Sequence, residues 1–410
     1  MKETMPTTTD KDKKRPRLHR NVWIVTITSL LTDISSEMIV YLVPLFLSNV
    51  LGVRTAVIGL IDGVAETTAS LLKIYSGALS DKLGKRKWLT VAGYSLSTLA
   101  KPFLYIANTW GWVLGVRFAD RVGKGIRTAP RDALVADSVE PAQRGLAFGL
   151  HRAGDTLGAF LGLGLAALIV WLTQAQAESL TRSTFQIAIL VSIVPAVLAV
   201  LVLALGARDV AKANPSAAPS LSLKGFDSRF KYFLLVVILF TLGNSSDSFI
   251  VLRGQERGLN VLQVMFMVMT FNFIYAVLAG PLGALSDRIG RRRLILFGWF
   301  AYGLVYLGFA LSRTGWQVWM LFGLYGVYYA ATEGVAKALI ADIVPEVQRG
   351  TAYGLYAAAV GLTALPASLI AGVLWQGVGA WTGFGASAPF YFGAVMALLA
   401  GILFSRLVKA

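Results

Sequence analysis

The chain has 410 residues, 56% of them hydrophobic and only 15% charged, with a mean hydropathy of +0.64; a soluble protein of this length needs far more polar surface. The excess of 38 Lys and Arg over 22 Asp and Glu gives a net charge of +16, but the basic residues are spread between apolar runs, which excludes a nucleic-acid-binding surface. There is no cysteine, and the two histidines, His19 and His151, are too few for a histidine-rich metal centre, so neither a metal nor a cofactor is expected.

In chain order, residues 1–20 are polar and basic (Lys11, Lys13, Lys14, Arg15, Arg17, Arg20) and read as a cytoplasmic tail. The apolar run from Val22 to Leu51 is too long for a signal peptide and carries Asp33 and Glu37, so it reads as a first spanning helix. Spans are predicted at 22–50, 56–79, 88–108, 111–137, 144–172, 184–206, 230–252, 260–284, 293–311, 315–341, 350–375 and 387–408, each near the ~20 residues needed to cross hydrocarbon. Residues 207–228, with Pro215, Pro219 and several Ser, read as a cytoplasmic linker between an N-terminal six-helix bundle (21–206) and a C-terminal one (229–410). With both termini inside, the outer loops hold only Arg54, Arg182, Arg253, Arg257 and Arg313, and most of the 38 basic residues fall in cytoplasmic segments. That asymmetry predicts a multi-pass protein of the plasma (inner) membrane with both termini cytoplasmic.

The stretch Gly77-Ala-Leu-Ser-Asp81-Lys-Leu-Gly84-Lys85-Arg86-Lys87 returns 206 residues on as Gly283-Ala-Leu-Ser-Asp287-Arg-Ile-Gly290-Arg291-Arg292-Arg293. A second block, Ala133 to Asp137 and Gln143 to Gly145, returns at an offset of 205 as Ala338 to Asp342 and Gln348 to Gly350. Ser35-Ser36-Glu37 is echoed by Ser245-Ser246-Asp247, and Gly154 and Ala159 by Gly361 and Pro366. A repeat at half the chain length means two similar bundles related by an axis along the membrane normal.

Twelve predicted helices with this loop in both halves resemble the major facilitator superfamily of secondary transporters. The resemblance implies an all-α integral membrane protein of twelve transmembrane helices in two pseudo-symmetric six-helix bundles. It also implies that the loops, through Gly77, Asp81, Gly84 and Arg86 and through Gly283, Asp287, Gly290 and Arg292, gate the cytoplasmic side. Gly77 and Gly283 are expected to let helix ends approach closely. The fourth span is similar to the family's R-x-x-Q-G pattern at Arg121, Lys124 and Gly125, with Lys124 in place of the glutamine. The fifth is similar to the antiporter pattern at Gly154, Gly158 and Gly162, with Ala159 where proline is expected and Leu163 for the last glycine; the same spacing also suits close helix packing.

Ionisable residues inside spans are costly and face a cavity or a partner. The fourth span carries Arg117, Asp120, Arg121, Lys124, Arg127, Arg131 and Asp132, largely on one broad face, with Asp120 placed to pair with Lys124. Such a stripe attracts an anion, or else pairs with Asp33, Glu37, Glu66 and Asp155 to hold the bundle together. Asp33 and Glu37 lie one turn apart near the membrane centre and are candidate proton carriers, with Asp247 and Glu333 as further candidates. Arg152 is expected to pair with Asp155, and Glu66 with Lys73; a hydrogen-bonded packing role suits His151, and packing suits Tyr325, Tyr328 and Tyr329. The cavity is expected between spans 1, 4, 5, 7, 10 and 11. No nucleophile–base pair or phosphate loop is visible, so the chain is not read as an enzyme.

The expected function is alternating-access transport of a small organic solute, proton-coupled, with export favoured, by a monomer in the lipid bilayer. The alternatives are uptake or exchange of an organic or inorganic anion at Lys124, Arg127 and Arg152, and a non-transporting membrane sensor or structural partner.

Overall fold

A computed structural model describes residues 18–83, 85–140, 143–210, 222–345 and 348–408. Most of the basic tail, the centre of the linker and Gly84 lie outside the described residues, as does the side chain of Asp81.

The first half comprises α1 (Arg20–Val40, continued through residue 50), α2 (Thr55–Leu83), α3 (Arg86–Ala100, followed by a 3-10 turn Lys101–Leu104), α4 (Trp110–Asp137), α5 (Arg144–Gln174) and α6 (Arg182–Gly206). The second comprises α7 (Ser228–Gly243, resuming as Ser248–Glu256), α8 (Val261–Ile289), α9 (Arg291–Leu311), α10 (Gly315–Ile343), α11 (Arg349–Gln376) and α12 (Ala388–Leu407). The helix starts follow local chemistry. Thr109, Thr181 and Asp227 accept backbone N–H bonds at the starts of α4, α6 and α7, and Asn260 with Gln263 and Thr314 with Gln317 form capping boxes at α8 and α10. Nine of these spans are long and apolar enough to cross a membrane. The other three are α3, interrupted at Lys101-Pro102, the charged α4, and α10 with its Tyr-rich core. Arg253, expected in an outer loop, is instead wholly buried in the second segment of α7, donating to the carbonyls of Phe309, Ala310 and Ser312 at the end of α9.

Glycine sets the tightest crossings. A Cβ on Gly158 would stand 2.5 Å from the Leu30 carbonyl, and one on Gly162 2.5 Å from that of Ile34, so the fifth-span glycines seat α5 on α1. Gly361, the sequence echo of Gly154, does a different job: its Cβ would stand 2.1 Å from Ser70 Cβ of α2, in the other half.

The α2–α11 crossing also fixes the conformation. From the face away from the chain termini inward, Thr55 Oγ1 donates to the Gly372 carbonyl at 3.0 Å, Gly59 and Gly63 meet Ser368 and Leu365, and Thr67 Oγ1 donates to the Gly361 carbonyl at 2.6 Å. Further out, Asn49 and Gln255 exchange hydrogen bonds across the halves at 2.8 and 3.0 Å, and Arg54 reaches the Gly379 carbonyl at 2.9 Å. Among the described residues, no hydrogen bond or ion pair ties either repeat loop to the opposite half. The molecule is sealed on this distal face.

Gly283 does not bring helix ends together here, since a Cβ on it would meet nothing within 4 Å, and one on Gly77 would meet only Ala129 Cβ at 3.3 Å. Among the described loop glycines, Gly290, at φ 93°, holds a backbone conformation that the absence of a Cβ permits. The two repeat offsets are reconciled at this turn. Two residues, 84 and 85, separate Leu83 from Arg86 at the start of α3, whereas Gly290 alone separates Ile289 from Arg291 at the start of α9. One residue fewer in the second turn converts 206 into 205 and places Arg86 and Arg291 in the same role. Arg86 Nε meets Asp137 Oδ2 at 2.6 Å, and Arg291 pairs with Asp342 and, at 3.4 Å, with Asp287. A cation at a helix start and a carboxylate at a helix end both oppose their helix dipoles, and pairing them offsets both costs.

Candidate functional site

A cavity of about 120 Å³ lies within the first half. Its walls are α1 (Asp33, Glu37), α4 (Arg117, Asp120, Arg121, Lys124, Arg127) and the α3 break, where Lys101 enters. The lining is therefore narrower than expected, and α3 was not among the spans expected to contribute.

Most of the charges in this wall are tied down. Arg117 meets Asp62 of α2 at 3.3 Å, and Arg121 meets Asp120 at 3.9 Å. Arg127 donates to Ser97 Oγ at 2.6 Å and stacks 4.5 Å from the Tyr94 ring centroid. Arg131 pairs with Asp132 at 2.8 Å and donates to Ser29 Oγ at 3.1 Å. Lys101, buried at the 3-10 turn, donates to Ser35 Oγ, which itself donates to the Ser192 carbonyl at 2.5 Å. Three groups are not tied down. Among the described residues, no hydrogen bond or ion pair engages the side chains of Asp33, Glu37 or Lys124. Lys124 is exposed within the chamber, and its charge faces those of Asp33 and Glu66, while Glu37 faces Lys124 and Arg121. The pairings expected along the sequence give way to these contacts across helices. Asp120 takes Arg121 rather than Lys124, and Glu66 faces Arg121 and Lys124 rather than Lys73. Two donor atoms in this region, Arg117 Nε and Arg121 Nε, are buried with no acceptor.

His151 is hydrogen-bonded between helices, its Nε2 3.1 Å from Ser29 Oγ and its Nδ1 3.5 Å from Asp155 Oδ2. The order Ser–His–Asp was not visible in sequence, because the three residues come from α1 and α5. Ser29 is 2% exposed and already accepts from Arg131, so this is an interhelical tie with no route for a substrate. Arg152 does not pair with Asp155. It crosses to the other half, donating to Tyr275 Oη at 2.7 Å and lying 3.8 Å from Glu333, whose carboxylate accepts from the same tyrosine at 2.5 Å.

In the second half the centre is the break in α7 at residues 244–247. Tyr302 Oη donates to the Gly243 carbonyl at 2.8 Å, Tyr325 Oη to Asn244 Oδ1 at 3.2 Å, and Asn244 Nδ2 to Tyr328 Oη at 3.3 Å. The tyrosines are packed in an aromatic cluster, and their hydroxyls also satisfy a broken helix. Asp247 stands in the break beside the Tyr325 hydroxyl, its charge facing those of Asp62 and Glu66 across the halves. Sequence reading passed over Asp62 and Lys101, although an acid between Gly59 and Gly63 and a lysine before Pro102 are both out of place in apolar spans.

The sequence profile of the Major Facilitator Superfamily matches residues 25–252 and 232–410. An uncharacterized MFS-type transporter of Methanocaldococcus jannaschii is 36% identical over 392 residues, 94% of each chain. The multi-drug resistance efflux pump PmrA of Streptococcus pneumoniae is 25% identical over 80% of this chain and 82% of its own. Among solved structures, a mutant of the nucleoside transporter NupG superposes with a TM-score of 0.78 at 13% identity, covering 95% of this chain and 100% of that one. A bacterial homolog of the human lysosomal transporter Spinster gives 0.77 at 15% identity over 94% and 96%.

Proposed function

The chain belongs to the Major Facilitator Superfamily, and from that premise we propose that it carries a small organic solute by alternating access, coupled to protons, with an anionic group of the solute held at Lys124. One observation carries the reading: Asp33, Glu37 and Lys124 face the same chamber without direct partners, while the charges around them are engaged. In this reading the two carboxyl groups exchange the proton, one turn apart on α1, and the amine receives the solute. Arg117 Nε and Arg121 Nε, lacking acceptors, support an anionic ligand over a cationic one.

Export as the direction is supported by relatives named as efflux pumps and by the glycine pattern of α5. The basic loops support a plasma-membrane orientation with both termini in the cytoplasm, which puts the sealed face on the outer side. Bundles 21–206 and 229–410 are the rocking bodies, with residues 207–228 linking them and the repeat loops latching the cytoplasmic side when it closes. Both halves of the pathway lie on one chain, which supports a monomer.

The test is thermal stability of the purified protein with benzoate, tetraphenylphosphonium and a neutral lipophile, run on the native chain, Lys124→Ala and Glu37→Gln. A ligand present at about 100 times its Kd adds about 2.7 kcal/mol to the folded state. Benzoate is expected to raise the Tm of the native protein and not of Lys124→Ala, while Glu37→Gln retains binding but loses pH-gradient-driven uptake in proteoliposomes. Stabilisation by the cation alone would overturn the anion reading, and silence from every probe would favour the sensor.

A further inference from the structure

One polar chain runs from the chamber to the distal seal, centred on a carboxylate that the transport reading leaves unused. Asp62, its side chain 11% exposed, takes Arg117 on Oδ1 at 3.3 Å and Ser246 Oγ on Oδ2 at 2.9 Å. Asp62 and Arg117 each lie seven residues in from the distal ends of α2 and α4, or ~10 Å deep at the helical rise. Arg117 lines the chamber. Ser246 belongs to the other half, in the α7 break, and its backbone N–H donates to Ser368 Oγ of α11 at 3.3 Å. Ser368 is the residue whose carbonyl oxygen lies 2.2 Å from where a Cβ on Gly59 would stand. Elements of both halves therefore converge on one carboxylate, on the chamber side of the seal. Across this convergence the α7 break supplies a movable partner, because residues 244–247 lie outside regular helix and can shift without breaking a helical ladder.

We propose that Arg117, Asp62 and Ser246 form the latch of the distal seal, and that Asp62 couples the seal to the chamber. Outward opening separates the halves and must pull Ser246 Oγ off the Asp62 carboxylate, a charge-assisted hydrogen bond. Arg117 positions that carboxylate. An anionic group that engages Arg117 competes for the cation and loosens the hold on Asp62, so occupancy of the chamber changes the ease of opening. This second clause rests on the anion reading above; the latch itself does not. Asp62 and Ser246 are positioning residues, acting through Arg117 and the seal.

The native chain has no cysteine, so Thr55→Cys places a single thiol inside the seal. With a membrane-impermeant maleimide added from the distal face, labelling of Thr55→Cys is expected to be slow. Adding Ser246→Ala should speed it at least about tenfold, the worth of one hydrogen bond to a charged group. Ser246→Thr, which keeps the hydroxyl, should leave it slow, and Asp62→Asn and Arg117→Gln should each raise it. Benzoate is expected to change the rate in Thr55→Cys and not when Arg117→Gln is added. Should Ser246→Ala fail to give a monodisperse protein, Asp62→Asn and Ser246→Thr decide the matter. Unchanged labelling in Ser246→Ala and Asp62→Asn overturns the latch, and a rate indifferent to benzoate overturns the coupling. Fast labelling beside a failed anion panel would remove the anion reading and keep the latch; normal stabilisation by benzoate with unchanged labelling would do the reverse.

Discussion

Arg127 donates to Ser97 and lies over the Tyr94 ring, 8% exposed, whereas Lys124, three residues earlier on α4, stands in the chamber with no direct partner among the described residues. From sequence the two look alike, as cations on one face of a charged helix. Their difference comes from α3, which lies against Arg127 and not Lys124. Arg127→Ala is therefore expected to lower stability by about 2–4 kcal/mol, from a lost charged hydrogen bond and a cation–π contact, read as a fall in Tm without ligand. Lys124→Ala should leave the stability within about 0.5 kcal/mol of native, because it removes no hydrogen bond or ion pair among the described residues. A large loss of stability in Lys124→Ala would mean that the lysine is a structural partner after all. That α4 carries buried charge was legible in the sequence; which of its charges are satisfied was not, since Asp62, Ser97, Tyr94 and Ser29 all come from other helices.

Helix geometry follows a few small residues. Gly158 sits against the Leu30 carbonyl and Asp33 Cβ of α1, while a Cβ on Gly164 would meet nothing within 4 Å. Gly158→Leu should force α1 and α5 apart, displacing Asp33 from the chamber wall, and is expected to yield little monodisperse protein and no transport. Gly164→Ala is expected to be active and up to about 1 kcal/mol more stable, from helix propensity alone. Equal tolerance of both changes, measured by size-exclusion profile and Tm, would refute this account of the α1–α5 crossing. The spacing of 154, 158 and 162 announced a packed face, but not its partner. The echo at Gly361 packs between halves instead, because α5 and α11 meet different neighbours at those positions. The break in α7 left little mark in the sequence beyond Asn244-Ser-Ser-Asp247, since the three tyrosines that stabilise it come from α9 and α10.

At the scale of the molecule, the α2–α11 crossing holds the distal face shut, and Gly361 is its tightest point. Gly361→Trp should prevent closure on that face. Thiol labelling in Thr55→Cys is then expected to be fast in every condition, and net transport in proteoliposomes to be abolished while the protein remains folded. Slow labelling in this variant would mean that the halves close without the α2–α11 contact. The sequence by itself determined that the chain spans a membrane as two related six-helix halves with buried charge, because hydropathy, the basic loops and the repeat at offsets 206 and 205 are local or periodic properties. Only the tertiary structure decided that Asp62 bridges Arg117 and Ser246, that Arg152 crosses to Tyr275, that Lys124 has no direct partner among the described residues, and that the distal face is sealed. Those facts depend on side chains from distant segments meeting across helix crossings, and a single residue of slack in a turn, as at Gly290, moves every contact beyond it.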